Sequence, residues 1–173
     1  MSGLEIYPGY VARLGVGIIP REDLGKYSGL ELLQRIADGT YPAAPIGGQL
    51  GFALHEASEG RAVFRGTPDE RHLNPLGSVH GGWAAAIMDS ALACCVQTLL
   101  TKDEAYTTAE FKVNLIRPIS TDTGLVECVG TVVHRGRTTA VSEASLRDAD
   151  GKLLAFGTET CSIFPMADLI ARG

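Results

Sequence analysis

The longest apolar stretch of the chain lies at its centre and repeats with the period of a helix. Between Trp83 and Val96 the only polar side chains are Asp89 and Ser90. Apolar residues at three- and four-residue steps fill one helix face, and others fill most of the remaining surface as far as Leu100. A helix that is apolar on all sides is buried on all sides. The pattern therefore predicts one long, enclosed helix.

On both sides of this helix, polar and apolar residues alternate with the period of two that is typical of strands. The first such stretch begins near Leu50, and a turn at Glu59-Gly60 leads into the second, which ends near Gly66. Four more follow the helix and are separated by turn residues; they span 105–117, 122–134, 138–148 and 153–164.

The stretch 105–117 is predicted to have one polar face and one apolar face, with the apolar face directed at the helix. The polar face comprises Thr108, Glu110, Lys112 and Asn114, and the apolar face comprises Ala109, Phe111, Val113 and Leu115.

The order of the elements indicates the fold class and the domain boundaries. Two strands, one long helix and then four strands are typical of an α+β fold. Because the helix is apolar all round, the antiparallel sheet must wrap around it, which is the hotdog architecture. We assign residues 47–165 to this hotdog domain and residues 166–173 to a C-terminal tail. Residues 1–46 are interpreted as an N-terminal extension with a short helix, which Ser28 and Glu31 begin with a capping box.

The amino-acid composition limits which partners the protein can bind and indicates its cellular compartment. The net charge of −5 argues against general nucleic-acid binding, which requires a clustered basic surface. The four cysteines and four histidines lack metal-binding spacing, so we expect no metal and interpret the cysteines as small buried residues. The first residues do not resemble a signal peptide, and Asp89, Ser90 and Gln97 interrupt the central apolar run. We therefore expect a cytoplasmic protein that does not bind a membrane.

Asp89 is an anomaly in the central helix, because burying an ionised carboxylate without partners costs several kcal/mol. One interpretation is a structural aspartate that accepts hydrogen bonds from backbone amides or a neighbouring hydroxyl. The other is a general base or nucleophile in an apolar cleft. There, burial raises its pKa and strengthens its electrostatic effect.

The glycine-rich loop before the helix, residues 74–82, offers further chemical groups. Its glycines leave backbone amides uncovered near the positive end of the helix dipole, where N–H groups can stabilise an oxyanion. The same glycines also suit a tight turn. Asn74 either braces the loop or reaches the substrate, and His80 is either a hydrogen-bonded structural residue or a catalytic one.

The sequence Asn74-Pro75-Leu76-Gly77-Ser78-Val79-His80-Gly81-Gly82, with Asp89 seven residues later, resembles the signature of the PaaI-like thioesterases. These are hotdog-fold acyl-CoA thioesterases of the 4-hydroxybenzoyl-CoA thioesterase superfamily. The stretches 107–118 and 134–161 are also similar to this family. The resemblance covers residues 47–164 and leaves the N-terminal extension outside.

The resemblance implies roles for individual residues. Asp89 matches the carboxylate that attacks the thioester carbonyl or activates a water, and Gly81 matches the residue whose N–H polarises that carbonyl. Asn74 matches the asparagine that positions the water or the thioester. Thr108, with Thr107 as the alternative, matches the hydroxyl that assists the water. The family also places the site between protomers, with Asn74 and Gly81 from one and Asp89 and Thr108 from the other. We therefore expect a homodimer or a tetramer built as a dimer of dimers.

Contacts with the rest of the substrate are predicted for a separate set of residues. Gly82 and Trp83, in the first turn of the helix, are candidates to line the acyl pocket. Arg117, Arg135 and Arg137 are candidates to bind the phosphates of coenzyme A. The last two flank a predicted hairpin turn, so an ordinary solvated turn is the alternative.

The function predicted is hydrolysis of an acyl-CoA thioester to a free acid and coenzyme A. The acyl group is expected to be aryl or of short to medium chain length, and no cofactor is expected beyond the coenzyme A of the substrate. A non-catalytic acyl-CoA-binding or regulatory hotdog module is the alternative. A hotdog hydratase fits less well, because it resembles a different Asp/His pattern that this sequence lacks.

Overall fold

The computed structural model describes residues 3–172. Its helices are α1 (Gly29–Ala37), α2 (Pro45–Leu50), α3 (Gly81–Gln97) and α4 (Met166–Arg172). Its strands are β1 (Leu4–Tyr7), β2 (Tyr10–Ala12), β3 (Phe52–Ser58), β4 (Arg61–Gly66), β5 (Glu104–Leu115), β6 (Val126–Arg135), β7 (Thr139–Asp148) and β8 (Leu153–Pro165). Across residues 3–172, no helix combines the length and the apolar character needed to cross a membrane.

The main sheet wraps around α3. Its six strands lie in the order β3-β4-β6-β7-β8-β5, and every neighbouring pair is antiparallel. Strands β3 and β5 are therefore its two edges. The predicted α+β hotdog fold, with an antiparallel sheet around one long central helix and a helical N-terminal extension, is confirmed.

Helix α3 is enclosed as its apolar pattern predicts. Seven of its side chains are at most 1% exposed: Ala84, Ile87, Met88, Ala91, Leu92, Cys95 and Val96. Its backbone lies directly against β6 at Gly130, where an added Cβ would come within 2.2 Å of the Ala91 carbonyl oxygen. On β7, the Ser142 hydroxyl donates a hydrogen bond of 2.9 Å to the Leu92 carbonyl. A glycine and a small hydroxyl residue on the sheet thus allow the close approach of the helix backbone.

The N-terminal extension packs against this domain in two places. Helix α1 begins with the predicted capping box: the Ser28 hydroxyl accepts from the Glu31 N–H, and the Glu31 carboxylate accepts from the Ser28 N–H. Its Leu33 is buried in the main core. Strands β1 and β2 form a separate hairpin that the sequence did not predict. The hairpin packs in a small second core, which comprises Ile6, Tyr7, Ala12, Ala43 and Ala53.

Two predicted boundaries are wrong by three or four residues. Helix α3 ends at Gln97 rather than Leu100, because the chain tightens there into i→i+3 hydrogen bonds such as Leu100 N–H to the Gln97 carbonyl. Strand β6 begins at Val126 rather than residue 122, because Thr121–Thr123 form a 3-10 turn and Gly124 has a φ of +70°.

Strand β5 has a bulge at Ala109, which changes the predicted faces. Thr108 pairs with Cys161 of β8, whereas Glu110 pairs with Thr160, so Ala109 has no partner in the register. Cys161 is fully buried in the core around α3, and directly paired residues share a face of the sheet. Thr108 therefore faces the helix, and its predicted place on the face of Glu110 is wrong. Simple alternation fails because the extra residue shifts the period by one.

Candidate active site

A cavity of about 450 Å³ opens beside the middle of α3. We call it the Asp89 cavity. Its polar side chains are Asp89 and Ser90 on α3 and Tyr106, Thr107 and Thr108 on β5. The remaining lining is apolar or small and includes residues of the N-terminal extension: Leu33, Ile36, Ala43, Ala44, Gly47, Phe52, Ala53, Leu54, Phe64, Ala93 and Cys94.

Asp89 is partly buried at this cavity and has no recorded hydrogen bond or ion pair with any residue in the range 3–172. Desolvation by the surrounding protein raises the pKa of its carboxyl above the usual value of 3.8. The neighbouring Ser90 does not compensate, because its hydroxyl donates to the Ala86 carbonyl one turn earlier, at 3.0 Å. A structural aspartate would accept hydrogen bonds from amides or hydroxyls. Asp89 instead faces the cavity as an available base or nucleophile.

Thr108 lines the same cavity because the bulge at Ala109 turns it toward the helix. Its hydroxyl lies 2.9 Å from the Oε1 atom of Glu159 on β8. The Cys161 thiol lies 3.1 Å from the same carboxylate oxygen. The structure thus brings together two residues predicted from the sequence, Asp89 and Thr108, and adds Glu159 behind the threonine.

Glu159 was not predicted from the sequence, although the sequence carries a signal for it. The side chain is 1% exposed, and its second oxygen, Oε2, is buried without a hydrogen-bond partner. The pKa of Glu159 is raised to about 7: burial raises it most, the Cys161 and Thr108 hydrogen bonds lower it, and the Asp89 and Glu110 carboxylates raise it. On β8 its face otherwise carries apolar or small residues: Ala155, Gly157, Cys161 and Ile163. A lone carboxylate in that alternating pattern is an anomaly of the same kind as Asp89.

The loop before α3 is braced by its own polar groups. Asn74 Oδ1 accepts hydrogen bonds from the N–H groups of Leu76, at 2.9 Å, and Ser78, at 3.2 Å. His80 is the N-cap of α3, and its Nδ1 accepts from the Gly82 N–H at 2.9 Å. Both side chains therefore have structural partners within the loop.

Gly81 is the first residue of α3, so its N–H belongs to the first turn, whose amides have no carbonyl of the helix to bind. An added Cβ at Gly81 would lie 2.6 Å from Leu115 Cδ1, the end of an exposed side chain that can move aside. Along the helix, Gly81 and Asp89 are eight residues and about 12 Å apart. Within one chain, Asn74, His80 and Gly81 do not line the Asp89 cavity.

The residues predicted to line an acyl pocket also lie outside the cavity wall. Trp83 is 3% exposed, and its Nε1 donates to the Leu50 carbonyl at 2.6 Å. Gly82 is exposed at the start of α3, next to the His80 ring.

The three arginines differ in their surroundings, and none lines the Asp89 cavity. Arg135 forms an ion pair with Glu104 and donates to the Gly136 carbonyl. Arg117 Nη1 donates to the Leu153 carbonyl at 2.5 Å. Arg137 is exposed and has no recorded ion pair or hydrogen bond to another residue within 3–172.

The titratable sulfur groups near the site are poor ligands and poor nucleophiles. Cys94 and Cys95 are free cysteines, and burial raises the pKa of both thiols to about 12. Among the described residues, no group of three or more His, Cys, Asp or Glu side chains is placed to hold a metal ion.

Comparison with known proteins is consistent with this geometry. The family model of the thioesterase superfamily matches residues 76–155, which include the loop from Leu76 onward, α3 and Thr108. The structure of the conserved protein PA5202 from Pseudomonas aeruginosa is similar, with 30% identity, a TM-score of 0.65, and coverage of 70% of this chain and 94% of that one.

Two further similarities concern proteins with named activities or processes. A variant of the phenylacetic acid degradation protein PaaI from Thermus thermophilus is 28% identical, with a TM-score of 0.62. The match covers 68% of this chain and 97% of that one. The 1,4-dihydroxy-2-naphthoyl-CoA hydrolase of Listeria monocytogenes is 25% identical over 66% of this chain and 91% of its own length. With its hotdog fold and the matched segment 76–155, the chain belongs to the thioesterase superfamily and is PaaI-like within it.

Proposed function

We propose that this protein hydrolyses an acyl-CoA thioester to a free acid and coenzyme A. The observation that carries the proposal is Asp89, a carboxylate without a recorded partner among residues 3–172 that faces an apolar cavity beside Thr108. The similarity to a naphthoyl-CoA hydrolase supports coenzyme A as the thiol half of the substrate.

Asp89 supplies the attack in one of two ways. As a general base it removes a proton from a water whose oxygen attacks the thioester carbonyl; the tetrahedral intermediate then expels the coenzyme A thiolate, which takes up that proton. As a nucleophile it forms an acyl anhydride and releases the thiolate, and water hydrolyses the anhydride. In both routes Thr108 orients the water, Gly81 N–H and the positive end of α3 stabilise the oxyanion, and Asn74 positions the reactants.

The reacting groups come from two copies of the chain in this proposal. Gly81 lies about 12 Å along α3 from Asp89, so its N–H can act at the Asp89 cavity only from a second protomer. Edge strand β5 offers a surface for that protomer, because exposed apolar side chains lie in its second half and directly after it, among them Phe111, Leu115 and Ile116. A homodimer, or a tetramer of two such dimers, is the proposed functional unit.

The acyl group is proposed to occupy the Asp89 cavity. Leu33 and Ile36 of α1 form one wall of it, and Ala44 and Gly47 at α2 continue that wall. An apolar space of about 450 Å³ with a protein wall at one side supports an aryl or a short- to medium-chain acyl group. Of the three arginines, Arg137 supports phosphate binding best, since its guanidinium is exposed and has no recorded partner within the described chain.

A thiol-release assay tests the activity directly. The full chain is assayed with aryl-, short-, medium- and long-chain acyl-CoAs, beside Asp89→Asn and the matched control Asp122→Asn, which changes an exposed aspartate. We expect Asp89→Asn to lose at least about 100-fold in turnover and the control to match the unmodified protein. Near-unmodified turnover in folded Asp89→Asn would overturn the assignment. Saturable binding of these esters without thiol release would instead indicate a binding module.

Complementation tests the shared site. Asn74→Ala and Asp89→Asn proteins are each expected to be nearly inactive. When they are unfolded together and refolded as a mixture, heterodimers contain one intact site, so about one quarter of full activity should return. No recovery, in a mixture shown to contain heterodimers, would contradict a site that combines residues of two protomers.

A further inference from the structure

Glu159 is a buried carboxylate whose two oxygens have different surroundings. Oε1 accepts hydrogen bonds from the Thr108 hydroxyl, at 2.9 Å, and from the Cys161 thiol, at 3.1 Å. Oε2 has no partner within the described chain, and the whole residue is 1% exposed. A buried carboxylate with an unpaired oxygen is costly, so packing alone does not account for this residue.

Thr108 links this carboxylate to the Asp89 cavity, which it lines. A threonine hydroxyl has one proton and two lone pairs. When Glu159 Oε1 accepts that proton, the hydroxyl has none left for the cavity and can only accept there. A water that donates one proton to Thr108 then has a fixed orientation, with its other proton available to Asp89 and its lone pair available for attack.

We propose that Glu159 is a positioning residue for the thioester hydrolysis proposed above: it fixes the direction of the Thr108 hydroxyl and, through it, the orientation of the attacking water. The inference rests on that proposed function. Glu159 exchanges no proton with the substrate in this role; Asp89 alone takes the proton of the water.

The charge state of Glu159 controls the direction of the Thr108 hydroxyl. A proton on Oε2 would find no acceptor, whereas a proton on Oε1 can donate to Thr108 Oγ1. Protonation therefore reverses this hydrogen bond and turns the threonine proton toward the cavity. Because burial raises the pKa of Glu159 to about 7, this reversal falls near neutral pH.

The other titratable groups around Glu159 either stay neutral in this pH range or add negative charge. They are Asp89, Cys94 and Cys95 on α3, Tyr106 and Glu110 on β5, and Cys161 on β8. Burial raises the pKa of the thiols and of the Tyr106 phenol, so these groups remain protonated. Strand β7 contributes Ser142, which pairs with Glu159 in the sheet and does not titrate. The two carboxylates, Asp89 and Glu110, both favour the neutral form of Glu159.

Two substitutions test the acceptor oxygen of Glu159 and its ionisation in turn. Glu159→Met has a similar shape but no acceptor for the Thr108 proton, so kcat should fall about tenfold while KM stays within about twofold. Glu159→Gln cannot ionise, and its NH2, like the proton of the neutral acid, finds an acceptor only at Thr108, so it should mimic protonated Glu159 and lose about tenfold in kcat at pH 8. Between pH 8 and pH 6 the ratio of Glu159→Gln to unmodified kcat should rise about fivefold, since only the glutamate becomes protonated.

The experiment measures kcat and KM from pH 6 to pH 8.5 for both variants, Thr108→Val, the double variant Thr108→Val/Glu159→Met, and Glu143→Gln as a control. Glu143 is an exposed glutamate on β7 and should leave the profile unchanged. In the Thr108→Val background, Glu159→Met should cause no further loss of kcat, because Glu159 acts through the threonine. Thermal unfolding confirms that each variant is folded.

The outcomes distinguish this inference from the proposed function. If the unmodified protein hydrolyses acyl-CoA, Asp89→Asn does not, and Glu159→Met has unmodified kcat, the positioning role is overturned and the proposed function stands. A flat kcat ratio for Glu159→Gln across pH 6 to 8, or independent losses in the double variant, also overturns it. If Asp89→Asn retains full activity, both proposals fail together.

Discussion

Trp83 donates a hydrogen bond of 2.6 Å from its indole Nε1 to the carbonyl oxygen of Leu50, and so joins the first turn of α3 to the end of α2. Leu50 is the last residue of α2, where helix carbonyls have no intrahelical partner. Since α2 contributes Gly47 to the wall of the Asp89 cavity, this bond holds part of that wall against the central helix.

The variant Trp83→Phe should therefore lower stability and leave catalysis nearly unchanged. It keeps most of the buried ring but leaves the Leu50 carbonyl without its donor, which costs about 1–2 kcal/mol. Urea unfolding measures the free-energy change, and the thiol-release assay measures kcat and KM. A large increase in KM with unchanged stability would instead indicate that Trp83 contacts the substrate.

The main elements of the fold were predictable because each follows from a local period. The sheet strands follow from alternation, α3 follows from an apolar run interrupted at Asp89, and α1 follows from the Ser28–Glu31 capping box. The hairpin β1-β2 was not predictable, because its strands have four and three residues and alternate too briefly to be recognised. The bulge at Ala109 was missed for a different reason: a period of two contains no information about where a strand gains a residue.

The candidate site was predictable only in part, for the same physical reasons. Asp89 stands out as a charge in an apolar helix, and the structure gives it the apolar cavity that its sequence context implies. Alternation places Thr108 on the wrong face, and Thr108 reaches the cavity because of the bulge. Sequence alone does not single out Glu159, because a glutamate in a strand is usually solvated. Its place on the apolar face of β8 is visible in the alternation, but its bond to Thr108 depends on strand pairing.

The wall that α1 adds to the Asp89 cavity should limit the length of the acyl chain. Ile36→Ala enlarges the cavity at that wall, so kcat/KM should rise by about fourfold for each further methylene that the new space admits. Leu32→Ala is a matched control, because Leu32 lies on the same helix but lines a different cleft, with Leu24 and Met166. The thiol-release assay over a series of acyl-chain lengths measures both variants. The same chain-length preference in Ile36→Ala and Leu32→Ala would show that α1 does not set specificity.

Asp89 should destabilise the folded protein at neutral pH, because its folded-state pKa is raised above its unfolded value. The unfolded chain loses the proton first, so stability contributed by the protonated form is lost as pH rises through the folded-state pKa. Asp89→Asn cannot ionise. We therefore expect it to gain stability relative to the unmodified protein as pH rises from 4 to 8, while it loses turnover. Chemical unfolding at several pH values checks this trend; a gap between the two proteins that does not change with pH would contradict it.

Glu159 should also lower the stability of the folded protein as pH rises, and by more than Asp89 does. Its pKa is raised from 4.5 to about 7, so the unfolded chain releases the proton near pH 4.5 and the folded protein near pH 7. Between these values the folded state binds more protons, and the unmodified protein should lose about 3 kcal/mol relative to Glu159→Gln as pH rises from 4 to 8. Glu143→Gln, at an exposed position on β7, should show no such trend.

The comparison uses urea unfolding free energies of the three proteins at each pH, so that titrations common to all of them cancel. If the difference between the unmodified protein and Glu159→Gln is constant across this range, the pKa of Glu159 is the same in the folded and unfolded states, so the folded protein carries it ionised from pH 6 to pH 8. In that case the Thr108 hydroxyl keeps one direction across pH 6 to pH 8, and the kcat ratio expected to change between pH 8 and pH 6 should be flat as well.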